Sequence, residues 1–172
     1  SRTFALSIRF LPGTLGRAVT TAYLLCRIAD TIEDDGVLAP ARKGELFDAF
    51  LRGLDDAAAA DAFTADATRD VGGDAAHVAL VRHTDAVCLL LRSLPKRTRA
   101  HVVKWVVEMV TGMHAFVDRY PTGIRIQTLE EYREYCYYVA GTVGCMLTDL
   151  WREHAPGVGD REYAEQIGRA HV

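Results

Sequence analysis

Between Pro95 and Pro121 the residues Val102, Val103, Val106, Val107, Val110, Met113 and Val117 return every three or four positions, the spacing that lines one side of an α-helix. A helix with such a stripe must bury it against other elements. The same period recurs along the chain. It predicts helices over Thr14 to Asp35, over Ala41 to Leu54 behind Pro40, and over Ala75 to Leu94 as far as Pro95. In the second of these Leu46, Phe47, Phe50, Leu51 and Leu54 face inward; in the third Val78, Leu80, Val81, Val87, Leu89, Leu90, Leu91 and Leu94 do. Thr128-x-x-Glu131 is a capping box that opens a helix running to about Trp151. Phe4, Ile8 and Leu11 predict a short helix ahead of Pro12, and Asp160 is placed to cap a last one. Asp55 to Asp74, rich in Ala, Asp, Thr and Gly, reads as a loop with at most a weak helical turn at Ala57 to Phe63. No strand alternation or internal repeat interrupts this pattern. The fold class is all-α, with long helices and short loops.

The 172 residues, 49% hydrophobic and 25% charged, suffice for one domain with a real core. A net charge of −3 without a basic run argues against nucleic acid as a partner. No apolar stretch reaches the eighteen or so residues of a membrane span and no signal-peptide pattern opens the chain, so a cytoplasmic location is expected. Cys26, Cys88, Cys136 and Cys145 sit in apolar helical segments without metal-ligand spacing and are expected reduced and buried. The six histidines show no H-x-x-x-H pairing, which argues against zinc. Ser1 begins without an initiator Met, and Ile167 to Val172 read as a non-native tail, leaving residues 1–166 as a partial domain.

The chemistry points first to Tyr23-Leu-Leu-Cys-Arg-Ile-Ala-Asp-Thr-Ile-Glu-Asp-Asp35. At about 100° per residue, Tyr23, Arg27, Asp30 and Asp34 fall within roughly 60° of one another. Asp30, Glu33, Asp34 and Asp35 stand against the macrodipole, at the helix end that favours cations. Carboxylates at i and i+4 suit Mg²⁺, which is commonly held by one or two carboxylates together with substrate phosphates. Arg27, one turn back, can pair with an aspartate or reach a phosphate. A solvated acidic helix end is the alternative, and this stretch alone leaves both open.

A second stretch, Tyr135-Cys-Tyr-Tyr-Val-Ala-Gly-Thr-Val-Gly-Cys145, sets Tyr135, Val139 and Val143 at i, i+4 and i+8 beside a strip of Ala140, Gly141 and Gly144. Each mid-helix glycine costs about 1 kcal/mol against alanine. Tight helix packing would account for them; so would the floor of a pocket for a long apolar ligand, with tyrosine hydroxyls at its polar end. Gly112, inside the Pro95–Pro121 helix, poses the same choice.

Ser-Arg-Thr-Phe at the start, Tyr-x-x-x-Arg-x-x-Asp-Thr-Ile-Glu-Asp-Asp, Gly112-Met-x-x-Phe116 and Tyr135-Cys-Tyr-Tyr-Val-Ala-Gly-Thr-Val-Gly144, in this order, resemble the squalene/phytoene synthase family. The likeness runs from Ser1 to about Gln166. The acidic motif and Gly-Met-x-x-Phe look closer to the squalene synthase branch, while Ala-Gly-Thr-Val-Gly occurs in the carotenoid branch too.

The resemblance implies the α-helical isoprenoid (terpenoid) synthase bundle and head-to-head condensation of two prenyl diphosphates. The expected product is squalene, from two farnesyl diphosphates through a presqualene-type diphosphate. Phytoene or dehydrosqualene synthase is the alternative, and a non-catalytic helical assembly protein of the same fold the more distant one. Carried over onto this chain, Asp30 and Asp34 would bind Mg²⁺ with Glu33 in support, and Asp30, Asp34 and Tyr135 would be catalytic, Tyr135 by helping to move a proton. Arg27, Tyr23, Ser1 and Thr3 would meet diphosphate, and Phe4, Ile8, Val139, Ala140, Val143 and Gly144 would line the prenyl tunnel. NADPH is implied if squalene is the product, although no Gly-x-Gly-x-x-Gly is present. Peripheral membrane contact for release of a lipid product is implied as well. The family's second aspartate-rich motif is expected beyond this chain, so the chain alone is expected to be inactive.

Overall fold

The computed structural model describes Ile8 and residues 10–154, which are helical with short connections. Most of the helix expected before Pro12, the cap at Asp160 and the tail from Ile167 lie outside them. Gly13, at φ +57°, turns the chain out of Pro12 into α1 (Gly13–Glu33). Ala18, Val19, Ala22, Leu25, Ile28, Ala29 and Ile32 of α1 are each 1% exposed or less. A helix apolar on so many sides belongs at the centre. It is packed against α2 (Pro40–Gly53), α4 (Ala75–Val81), α5 (Thr84–Ser93), α6 (Lys96–Arg119) and α8 (Thr142–His154).

Helix α1 stops at Glu33, two residues short of the expected Asp35. Asp34 is its C-cap, donating its N–H to the Asp30 carbonyl at 2.8 Å. Asp35 then turns inward: Oδ1 accepts from Val37 N at 2.7 Å and Leu38 N at 2.9 Å, and Oδ2 from Gly72 N at 2.8 Å. Those local hydrogen bonds compete with the helix and end it. They also tether the foot of α1 to the loop before α4.

The loop expected over Asp55 to Asp74 is instead a 14-residue helix, α3 (Ala57–Asp70), with Asp56 accepting from Ala58 N and Ala59 N as its cap. Alanine is the strongest helix former, and a narrow stripe of Ala60, Phe63 and Ala67 is all that α3 buries. Its small side chains let it lie close on α2, where Arg42 reaches Asp66 and Asp70, both at 2.8 Å.

The single helix expected over Ala75 to Leu94 is broken at Arg82 and His83. Thr84 Oγ1 donates to the Val81 carbonyl at 2.8 Å, and Asp85 N donates to Thr64 Oγ1 at 3.0 Å, diverting backbone partners that a continuous helix would need. Leu89 and Leu90, expected inside, are 64% and 49% exposed, whereas Val87, Cys88, Leu91 and Leu94 are buried. In α6, Val107 lies at the surface and Val103 is half-buried, while Met109, Gly112 and Phe116 complete the inner face.

The helix expected from Thr128 to Trp151 opens with one half of the capping box, Glu131 N donating to Thr128 Oγ1 at 3.1 Å, while the Glu131 carboxylate accepts from Gln127 N, one residue before the cap, at 2.8 Å. It is not one α-helix. After α7 (Leu129–Cys136), Tyr137–Gly141 form a π-turn in which Thr142 N bonds the Tyr137 carbonyl, five residues back, and α8 follows. Cys26 and Cys88 are buried; Cys136 and Cys145 are only half-buried, and all four are free thiols.

Candidate active site

The foot of α1 forms one wall. Arg27 Nη1 donates to Asp30 Oδ2 at 2.9 Å, and Arg27 Nη2 lies 2.8 Å from His77 Nε2 of α4. Glu33 Oε2 accepts from the Tyr135 hydroxyl at 3.3 Å, while Glu33 Oε1 is buried with no hydrogen-bond partner. The Lys43 ammonium donates to the Glu33 backbone carbonyl, meeting the negative end of the α1 dipole. The carboxylates themselves stay poorly compensated. Glu33 is pushed up to about 7, first by desolvation and then by the charges of Asp30 and Asp34, against the weaker effects of Tyr135 and Lys43. Asp30 is raised too, by desolvation, with Arg27 opposing and Asp34 adding to the rise. The Tyr135 hydroxyl is held protonated, well above the ordinary phenol value, by desolvation and the Glu33 charge.

The opposite wall is the α7–α8 pair. Val139 and Val143 face Tyr23, Arg27 and Asp30 across a cavity of about 240 Å³, with Met109, Met146 and Leu147 adding apolar surface. Two features hold the tyrosines there. Phe116 lies 5.1 Å from the Tyr135 ring and 6.4 Å from that of Tyr138, centroid to centroid. Gly112 leaves the seat that Tyr138 occupies: a Cβ on Gly112 would stand 2.1 Å from Tyr138 Cγ. The Gly-Met-x-x-Phe motif is thus a cradle for the tyrosine helix. The π-turn adds a residue just after Tyr135, and π-turns concentrate at functional positions.

Of the residues singled out in the sequence, Tyr23, Arg27, Asp30, Val139 and Val143 line this cavity, while Glu33 and Tyr135 meet each other but are not among its lining. Asp34 is exposed at the helix cap and lines a neighbouring polar cleft of about 210 Å³ with Asp35, Asp74 and His77. Ala140 is half-buried and Gly144 buried, and neither is among the cavity lining. Ile8 lines a separate cavity of about 510 Å³ between the start of α1 and α5, which Tyr23 also borders. Ser1, Thr3 and Phe4 lie outside the described residues. His77 and Tyr138 were not anticipated. Tyr138 carried a signal, its place beside Gly112 and Phe116 in the shared motifs; His77 carried none, because only the fold brings it to Arg27.

Asp30 and Glu33, with repelling charges and one orphaned buried oxygen, offer ligands of the kind a divalent cation takes. Among the described residues, however, no group of three or more His, Cys, Asp or Glu is gathered that could hold a metal ion. That donor set suits an ion completed by ligands from a bound phosphate.

Comparison with known proteins decides the family. The model of the squalene/phytoene synthase family matches residues 1–171. The chain belongs to the squalene/phytoene synthase family. Squalene synthase of Ganoderma lucidum is 32% identical over 166 residues, covering 94% of this chain and 34% of its own length. Squalene synthase of Bos taurus is 30% identical over 172 residues, 98% of this chain and 38% of its own. Among solved structures, a complex of TcSQS with the ligand BPH1237 superposes with a TM-score of 0.68 at 29% identity, covering 99% of this chain and 46% of that one. The chain therefore spans about a third of the length of the Ganoderma lucidum and Bos taurus squalene synthases and under half of the solved TcSQS chain, and its helices form part of the family's all-α terpenoid-synthase fold. Among the described residues no helix is long and apolar enough to cross a membrane.

Proposed function

We propose that the whole protein condenses two farnesyl diphosphates head-to-head, through a presqualene-type diphosphate, to squalene. The observation that carries this is the Glu33–Tyr135 contact at 3.3 Å, which joins the acidic foot of α1 to the tyrosine helix beside an apolar cavity. Substrate would place its diphosphate at Arg27 and the carboxylates and its prenyl chain along Val139 and Val143. Asp30, Glu33 and Asp34 would hold Mg²⁺, which when bound neutralises charge on departing pyrophosphate. Arg27 donates hydrogen bonds to the same oxygens. The apolar wall keeps water from the allylic cation, and the nearby aromatic faces favour positive charge. The Tyr135 phenol, protonated and hydrogen-bonded to Glu33, can pass a proton between substrate carbon and pyrophosphate at its own oxygen. NADPH would supply hydride in the last half-reaction of squalene formation, although these 172 residues carry no glycine-rich dinucleotide loop to hold it. Release of so apolar a product at a membrane surface belongs to the same proposal.

The test is product mass from the whole protein with Mg²⁺ and farnesyl or geranylgeranyl diphosphate, with and without NADPH. Squalene formed only with NADPH is expected. Dehydrosqualene from farnesyl diphosphate, or phytoene from geranylgeranyl diphosphate, would move the assignment to the carotenoid branch, and no condensation at all would refute it.

A further inference from the structure

We propose that His77 is a positioning residue that holds the Arg27 guanidinium in place for a diphosphate, an inference that rests on the prenyl-diphosphate reading above. The geometry is a clamp from two sides. Arg27 Nη1 is taken by Asp30 at 2.9 Å and Nη2 by His77 Nε2 at 2.8 Å, so the planar group is fixed across its width. Arginine only donates, so the imidazole nitrogen facing it is the unprotonated one, and the ring acts as a neutral acceptor. Two of the five guanidinium N–H groups are thereby spent on orientation, and three remain for substrate oxygens. His77 is in turn fixed from outside the site. Asp74 caps α4 by accepting from Ala76 N and His77 N at 2.9 and 3.3 Å, and Gly72 N, just before it, is bound to Asp35 at 2.8 Å. The short α4 thus carries its histidine on a tether to the end of α1, the helix that carries Arg27. A hydrogen bond to a charged group, left unmade in a half-buried site, commonly shifts affinity by about tenfold or more.

The test is calorimetric binding of inorganic pyrophosphate with Mg²⁺ to the whole protein, beside KM and kcat for farnesyl diphosphate. His77→Leu, which has no acceptor, should weaken pyrophosphate by about tenfold and raise KM more than it lowers kcat. His77→Gln, which keeps an acceptor, should stay within about threefold of wild type. In an Arg27→Gln background, His77→Leu should cost nothing further, because the group it positions is gone. If wild type binds pyrophosphate but His77→Leu binds it equally well, or weakens it just as much without Arg27, the positioning role is wrong and the synthase reading stands. If wild type neither binds pyrophosphate nor turns over prenyl diphosphate, the synthase reading falls and this inference with it.

Discussion

Replacing Glu33 by glutamine should make the metal-free protein more stable, not less, and only at neutral to alkaline pH. Glutamine keeps the size of the side chain and an oxygen for the Tyr135 hydroxyl, and removes the charge. The Glu33 carboxyl rises from its ordinary 4.5 to about 7 in the fold, so the native state binds that proton more tightly than the unfolded chain. The group therefore costs nothing below pH 4.5, becomes destabilising as pH climbs toward 7, and exacts its full penalty above. At about 1.36 kcal/mol per pKa unit the penalty is about 3 kcal/mol, an upper figure because the side chain keeps some contact with water. For a chain of this size each kcal/mol moves the melting temperature by about 2–4 °C. Thermal melts in chelator from pH 5 to pH 8.5 should show Glu33→Gln drawing ahead of wild type by several degrees at the alkaline end and converging with it at the acid end. Mg²⁺ should then raise the wild-type melting temperature more than that of the variant. A variant no more stable than wild type at pH 8, or one whose advantage is the same at every pH, would refute the reasoning.

Asp35→Asn should destabilise by about 1–3 kcal/mol in urea unfolding, since an amide N–H₂ would face one of the three backbone donors the carboxylate now accepts. Burial works to raise the Asp35 pKa, but the N–H groups of Gly72, Leu38 and Val37 outweigh it and hold the carboxyl below its ordinary value. The stability it contributes is full above that ordinary value and disappears as pH falls through the lowered one, so acid unfolding of Asp35→Asn should be less steep than that of wild type. Gly112→Ala would normally gain about 1 kcal/mol in a helix interior. Here the new Cβ at 2.1 Å from Tyr138 Cγ should produce a net loss of about 1–3 kcal/mol, largely abolished in a Tyr138→Ala background. An equal loss in both backgrounds would mean that the two residues are not seated on each other.

The helical class and the capped start at Thr128 were legible because both rest on local chemistry: a 3.6-residue period and a threonine hydroxyl three residues before a glutamate. Helix α3 was not, because Phe63 is the one large residue in its buried stripe, and Ala60 against Gly53 with Ala67 leaves little hydropathy signal although these small side chains pack well. The break at His83 and the π-turn at Tyr137–Gly141 were equally hidden. Each is decided by hydrogen bonds to partners that only the fold supplies or by a single inserted residue, neither of which periodicity resolves. Much of the candidate site was readable because its residues lie within two short motifs. The join between those motifs, Glu33 to Tyr135, spans 102 positions, and His77 lies 50 positions from Arg27. Spacing within a motif cannot reveal either.

The most direct measurement is the initial rate of pyrophosphate release from farnesyl diphosphate by the whole protein in Mg²⁺, wild type against Asp30→Asn. The account predicts Mg²⁺-dependent release that falls by at least about a hundredfold in the variant, the scale on which loss of transition-state charge stabilisation is usually felt. Equal rates in the two proteins would contradict it.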